Sequence, residues 1–290
     1  MKKTLLTILF TMLVLPKLYA SQSVITETEG YACMGDDKSR KETEVIAIED
    51  AKRKASESSL TYIQAQTHVK DFMLEKDLIS AYTNAQVKVI QEIEKGWYRD
   101  PALGDCYRAK LKVEVIPDTQ VMNQLSKAKE ETMENDPTAP LTVKVWTDHK
   151  EYKQGQKIKV YLRGNKPFYG RIVYKDAGGK IVQLLPNPFR TENYFSGGIV
   201  YEVPSGEDRY EMEVTPPFGS ERITVYASTA PAGDIEVEPA GAVFEVKTRP
   251  AEIPLHTRGV KLVSRKHGST AGTLSAAEFT ENEADIRTGK

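Results

Sequence analysis

The residues of this chain best suited to chemistry are aromatic and amide side chains rather than nucleophiles. Asn187, Phe189, Arg190, Asn193, Tyr194 and Phe195 fall within nine positions, with Phe168 and Tyr169 before them and Phe218 after. Aromatic faces beside amides and a guanidinium can form a platform for a peptide or a glycan: rings stack, and the polar groups fix orientation. The same residues also suit a loop stapled to a β-domain by buried rings, with Asn side chains closing turns. Both readings stand at this level. Loss of a partner without loss of stability on changing Arg190 or Tyr194 to Ala favours the platform.

Other chemistries lack their parts. The four histidines are His68, His149, His256 and His267, and no two are closer than eleven residues. A helical metal-ligand pair is therefore absent. No GxSxG elbow is present, and Ser196-Gly197-Gly198 reads as a turn. Gly178-Gly179-Lys180 lacks the leading glycine of a phosphate loop. Asp36-Asp37 reads as a strand-to-helix turn whose charge suits a helix N-terminus. No DxDxDG calcium loop occurs. Carboxylates are plentiful, but glycoside hydrolysis needs two at a defined spatial separation, which spacing in sequence does not supply. No catalytic set, cofactor site or metal site is read from these residues.

The first twenty residues have the order of a secretory leader. Met1-Lys2-Lys3 is basic, Leu5 to Leu15 is an uncharged and mostly apolar run, Pro16 breaks it, and Ala20 offers a small residue at the cut. The run is too short for a membrane span, which needs about 20 apolar residues. Cleavage before Ser21 is expected, with a retained N-terminal anchor as the alternative. No comparable apolar run follows, so no stable span is expected after cleavage. The charges nearly cancel, 40 Lys+Arg against 41 Asp+Glu, and loss of Lys2, Lys3 and Lys17 takes the net charge from −1 to −4. No basic field exists to grip a phosphate backbone, so no nucleic-acid partner is expected. Cys33 and Cys106 are the two cysteines, 73 positions apart. An even count in an exported chain points to one disulfide, and closing so long a loop stabilises by about 4 kcal/mol in the chain-entropy model. Two unrelated thiols are the alternative.

The elements that position these residues divide the chain. Residues 21–117 read as an αβ domain in the order strand, helix, strand, strand. Ala47, Ala51, Ala55, Ser58 and Tyr62 share one helical face, and Lys52, Arg53, Lys54 and Glu57 occupy the solvated one. Strand alternation marks 86–93 and 106–116, with a turn region at 96–104. His68 to Tyr82 has no clean period. Residues 118–140 read as a charged helix and a Pro-containing linker. Residues 141–248 carry short alternating runs between turn residues and no helix signal, the pattern of a β-sandwich. Residues 249–290 read as a polar tail, with one last strand or docking segment at Leu255 to Val263 and disorder beyond Ser264. The fold class is therefore α+β.

The stretch 184–204 (LLPNPFRTENYFSGGIVYEVP), then 216–228 (PPFGSERITVYAS), resembles domain of unknown function 4384. Leu184, Pro186, Asn187, Phe189, Asn193, Gly198, Pro204, Pro217-Phe218-Gly219, Glu221 and Ala227-Ser228 carry the resemblance. The N-terminal half, through EGYACMGDD (29–37), AIEDAKRKASE (47–57) and YRAKLKVEV (107–115), is similar to the N-terminal domain of flagellar assembly protein T and to related envelope lipoproteins. The lipoprotein cysteine is absent here, so membrane attachment is not implied. Together these features lead us to expect a non-catalytic bacterial envelope protein, periplasmic or extracellular, acting as an interaction or assembly module. Its partners would be other envelope proteins or cell-wall polymer. The alternative is an envelope hydrolase or a glycan- or peptide-binding protein acting on cell-wall material.

Overall fold

Small residues decide how the N-terminal half packs. A computed structural model describes residues 22–66, 72–206, 208–259 and 276–290. The expected leader, His68, His267 and residues 260–275 of the expected tail lie outside the described residues. Strand β1 (Ser23–Cys33) leads to helix α1 (Arg40–Gln66). Ser39 and Glu42 close the helix start reciprocally: the Ser39 N–H donates to Glu42 Oε2 at 2.7 Å, and the Glu42 N–H donates to Ser39 Oγ at 3.2 Å. The buried face of α1 steps every four residues through Thr43, Ala47, Ala51, Ala55, Ser59 and Ile63. It thus uses the expected alanines, with Ser59 and Ile63 fully buried, while Tyr62 packs half-buried beside them and Ser58 is half-buried. A Cβ on Gly30 of β1 would strike the Ala47 carbonyl and the Ala51 backbone, so the helix lies directly on the strand. The Thr28 hydroxyl donates to the Ala51 carbonyl at 3.1 Å across the same contact.

Helix α2 (Phe72–Thr83) occupies the stretch without a clean period. Strands β2 (Gln86–Asp100) and β3 (Gly104–Ile116) follow as one long hairpin. The turn region expected at 96–104 shrinks to three residues. Trp97 and Tyr98 continue the ladder opposite Tyr107 and Cys106, with the Trp97 and Tyr107 rings 5.3 Å apart. The Asp100 carboxylate accepts the N–H groups of Ala102 and Leu103 and closes the turn. Helix α3 (Thr119–Asn135) is capped by Asp118, which accepts the Gln120 and Val121 N–H groups. Its Met122, Leu125 and Met133 form a small core with Leu78 and Ala81 of α2 and with Ala139, which follows α3.

The second half is strand-rich, as the alternating runs imply. Its strands are β4 (Val143–Thr147), β5 (Glu151–Lys153), β6 (Lys157–Ile158), β7 (Val160–Gly164), β8 (Phe168–Lys175), β9 (Ile181–Leu185), β10 (Tyr194–Phe195), β11 (Tyr201–Val203), β12 (Met212–Glu213), β13 (Ser220–Ser228), β14 (Val237–Ala240) and β15 (Val243–Val246). Helix α4 (Ile253–Arg258) and strand β16 (Ala276–Gly289) complete it. Strands β11, β7 and β4 form a three-stranded sheet. Its inner residues Val145, Val160 and Leu162 share one core with Ile172, Val225 and Ile286 of the larger sheet. This is sandwich packing in an α+β chain.

Two expectations for residues 249–290 are corrected. Of the 255–263 segment, expected as a strand or a docking segment, residues 255–258 lie in the helix Ile253–Arg258 and not in a strand, and 260–263 lie outside the described residues. Ile253 and Thr257, four apart, are both buried, and Pro254 suits the helix start. Residues 276–289, expected as a polar tail, form a strand inside the largest sheet. The order of that sheet is β14-β15-β9-β8-β13-β16-β1-β3-β2. Strand β16 pairs with β13 along one edge, from Phe279 opposite Ser228 to Arg287 opposite Ser220. Its other edge pairs with β1 through residues 276–279 and, in parallel, with β5 through residues 287–289. One backbone ladder therefore runs through both halves. A polar sequence suits this place because its side chains have partners: Asn282 accepts the Val145 N–H at 3.3 Å, and the Thr288 hydroxyl donates to Glu221 at 2.8 Å.

Candidate binding surface

The loop after β9 holds most of the residues singled out in the sequence. Asn187 is fully buried. Its Oδ1 accepts the Phe189 and Arg190 N–H groups at 2.9 and 2.7 Å, and its Nδ2 donates to the Leu184 carbonyl at 3.0 Å. Arg190 reaches the buried Asp208 carboxylate at 3.4 Å. Asp208 in turn accepts the Ser205 N–H at 2.7 Å. Phe195 is fully buried, stacked on Phe168 at 5.1 Å with Tyr201 edge-on at 5.0 Å. Burial pushes the Tyr210 phenol up, and its hydroxyl donates to the Leu184 carbonyl. These contacts hold the loop to the sandwich.

Two rings of the group face solvent. Phe189 is 50% exposed with the Arg209 guanidinium 5.1 Å from its centroid, and Tyr194 is 48% exposed with Tyr169 edge-on at 5.2 Å. Asn193 is half-buried, and its carbonyl accepts the Gly170 N–H at 2.8 Å. Phe218 is not with them. It precedes β13 beside the 176–179 turn, whereas Asn187 follows the opposite end of β9. The register Ile172↔Leu185 and Lys175↔Ile181 puts the length of β9 between these ends, roughly 13 Å at the strand rise.

The outer face of the three-stranded sheet carries a pocket that the sequence reading did not assemble. Alternation along β4 and β7 turns Val143, Val145, Val160 and Leu162 inward, so Lys144, Trp146, Tyr161 and Arg163 point the other way. The register sets Trp146 opposite Tyr161 and Lys144 opposite Arg163. The Trp146 and Tyr161 rings stack with centroids 5.8 Å apart and planes 23° apart. Lys144 Nζ lies 3.3 Å from both carboxylate oxygens of Glu134, in the last turn of α3. Arg163 Nε donates to the Gly198 carbonyl at 3.2 Å. A Cβ on Gly197 would strike the Lys166 backbone, so this turn must come close, which carries the exposed Val200 to the rim. Glu134, Thr142, Lys144, Trp146, Arg163 and Val200 line a cavity of about 410 Å3. The signal in the sequence was two aromatic residues at solvent-side positions of alternating strands.

A second cavity of about 520 Å3 lies between residues 234–236 and 247–256. Asp234, Glu236, Glu252 and His256 line it, with Lys247 and Arg249. Arg249 pairs with Glu252 at 2.6 Å. Among the described residues, no group of three or more His, Cys, Asp or Glu side chains is placed to hold a metal ion. No helix among them is long and apolar enough to cross a membrane. The Cys33–Cys106 disulfide is present, at directly opposed positions of the β1–β3 ladder with Cα atoms 3.9 Å apart.

Residues 151–231 match the family model described as a domain of unknown function, DUF4384. No curated protein and no solved structure matches the chain. The matched segment runs from β5 through β13, so it includes the 186–195 loop. Of the pocket residues it holds Arg163 and Val200, while Glu134, Thr142, Lys144 and Trp146 precede it.

Proposed function

We propose that the chain is an exported, non-catalytic protein of the bacterial envelope that binds cell-wall polymer or another envelope protein at the Trp146 pocket. The carrying observation is the preformed wall of that pocket: an indole backed by Tyr161, with cations and one carboxylate around it. Among the described residues, Glu134 is the one acid of the lining, and it is engaged with Lys144. No second carboxylate among the described residues of the lining faces it, whereas glycoside hydrolysis requires two. The leader-like first twenty residues and the disulfide support export, since disulfides persist in oxidising compartments. The alternative is a cell-wall hydrolase. It would draw on the second cavity, where Asp234, Glu236 and Glu252 lie together.

Incubation of the purified chain with isolated cell-wall material separates the two readings. The binding reading expects protein in the pellet and no soluble fragments. Release of fragments that grows with time contradicts it, and loss of that release in Glu252→Gln would place the chemistry in the second cavity.

A further inference from the structure

Among the described residues, the charges around Trp146 are not balanced, and the imbalance says what kind of ligand the pocket takes. Lys144 and Arg163 stand directly opposite each other on neighbouring strands. Like charges in that relation destabilise a sheet. Glu134 offsets one of them by pairing with Lys144 at 3.3 Å. Arg163 makes its hydrogen bond to the Gly198 carbonyl, a neutral acceptor, and has no carboxylate partner among the described residues. Among the described residues, the lining thus carries two cations and one anion beside an indole.

From this geometry we infer that the pocket binds a carboxylate-bearing pyranose, with the sugar ring against Trp146 and its carboxylate on Arg163. The inference rests on the reading of this pocket as the binding site. A guanidinium offers parallel N–H donors that match a carboxylate. Tyr161 holds the indole from behind, so the wall needs no rearrangement to receive a ring. The Glu134–Lys144 pair supplies an acceptor and a donor at the rim, which suits a ring edged with hydroxyls. An aromatic acid would set an apolar edge against that pair and leave it desolvated without new partners. The volume, about 410 Å3, falls within the range of small-ligand sites.

The chain has two tryptophans, so the test can read the site directly. Trp97 donates its indole N–H to Glu44 at 3.0 Å in the N-terminal half and serves as the internal reference. The intact chain is titrated with tetragalacturonate and with the same tetramer fully methyl-esterified, following both indole N–H signals by NMR. The expected result is a shift of the Trp146 signal alone, with the ester about tenfold weaker than the acid. Arg163→Gln, checked to melt with the parent, should lose about tenfold for the acid and leave the ester unchanged. Equal binding of acid and ester, no response at Trp146, or an unaltered Arg163→Gln overturns the inference. Wall binding that Trp146→Ala abolishes, without a response to the acid tetramer, overturns the ligand class and leaves the binding reading standing. A Trp146 response to the acid without any wall binding does the reverse.

Discussion

Lys166 and Glu278, 112 positions apart, meet at 3.1 Å where the two halves of the chain join, and their side chains are 12% and 5% exposed. Glu278 lies on β16 and Lys166 in the connection between β7 and β8. The same carboxylate accepts the Leu141 N–H, just beyond α3. It also faces Tyr62 of α1, whose phenol is pushed up first by burial and then by that neighbouring charge. One buried acid therefore ties α1, the segment after α3, the β7–β8 connection and β16 together. Lys166→Ala leaves that acid buried without its cation, so a loss of about 3–5 kcal/mol is expected in urea unfolding. A loss below about 1 kcal/mol, the scale of an exposed pair, contradicts this role.

The contact between α1 and β1 depends on one missing methyl group. Gly30→Ala drives a Cβ into the Ala47 carbonyl and the Ala51 backbone, neither of which can turn aside. Overpacking of this kind costs about 1–3 kcal/mol, and backbone obstacles put the expectation at the upper end. Gly96→Ala is the control, because a Cβ there meets nothing within 4 Å. Its effect should stay within about 0.5 kcal/mol. Equal effects at the two positions would contradict the close approach.

Reduction of Cys33–Cys106 should loosen one region and spare another. The bond joins the ends of β1 and β3 that lie away from β16, since β1 pairs with β16 only through Ser23 to Thr26. The chain-entropy model gives a loss of up to about 4 kcal/mol for a loop of this length. Amide exchange after reduction should rise along residues 28–33 and 104–111, while β8 and β13 keep their protection. Uniform acceleration across both regions would show that the bridge stabilises the sheet as a whole.

Glu281 gives a stability change with a definite sign. Burial raises its carboxyl above the ordinary value of 4.5 and outweighs the pull of Arg258, with Glu283 and Glu114 adding to the rise. Below that ordinary value the carboxyl is protonated in both folded and unfolded chains, and nothing is lost. As pH rises, the unfolded chain releases the proton first, so folding is increasingly penalised, and the penalty stays at its full size once the folded carboxyl also ionises. Glu281→Gln should match the parent at pH 4 and become more stable than it towards pH 7, as measured by urea unfolding at each pH. A variant that is less stable at pH 7 and level at pH 4 would mean that the Arg258 contact at 3.1 Å dominates.

The sequence disclosed elements whose burial follows period or chemistry. The Ala47, Ala51 and Ala55 face of α1, the alternating runs of the sandwich and the Cys33–Cys106 pair were legible for that reason. Strand β16 was not. Glu278 and Thr280 are buried in it, and a polar strand is recognisable as central only when its partners are known, here Leu141, Lys166 and the ladders of β1 and β13. The 186–195 group was legible as a cluster but not as a division of labour: Asn187 and Phe195 are fully buried, and Phe189 and Tyr194 face solvent. The Trp146 pocket required the β4–β7 register, because Trp146 and Tyr161 become neighbours only through that pairing.

Binding of envelope material through the Trp146 wall is the proposal on which the function rests. Its most direct test is co-sedimentation of the intact chain and of Trp146→Ala with the same preparation of isolated cell wall, the two proteins first matched by their melting curves. Trp146 lies on the outer face of β4, outside the shared core, so the variant should fold. The parent should pellet with the wall, and the variant should bind at least about tenfold more weakly, the expected loss for removing an aromatic anchor. A variant that pellets as the parent does would contradict it.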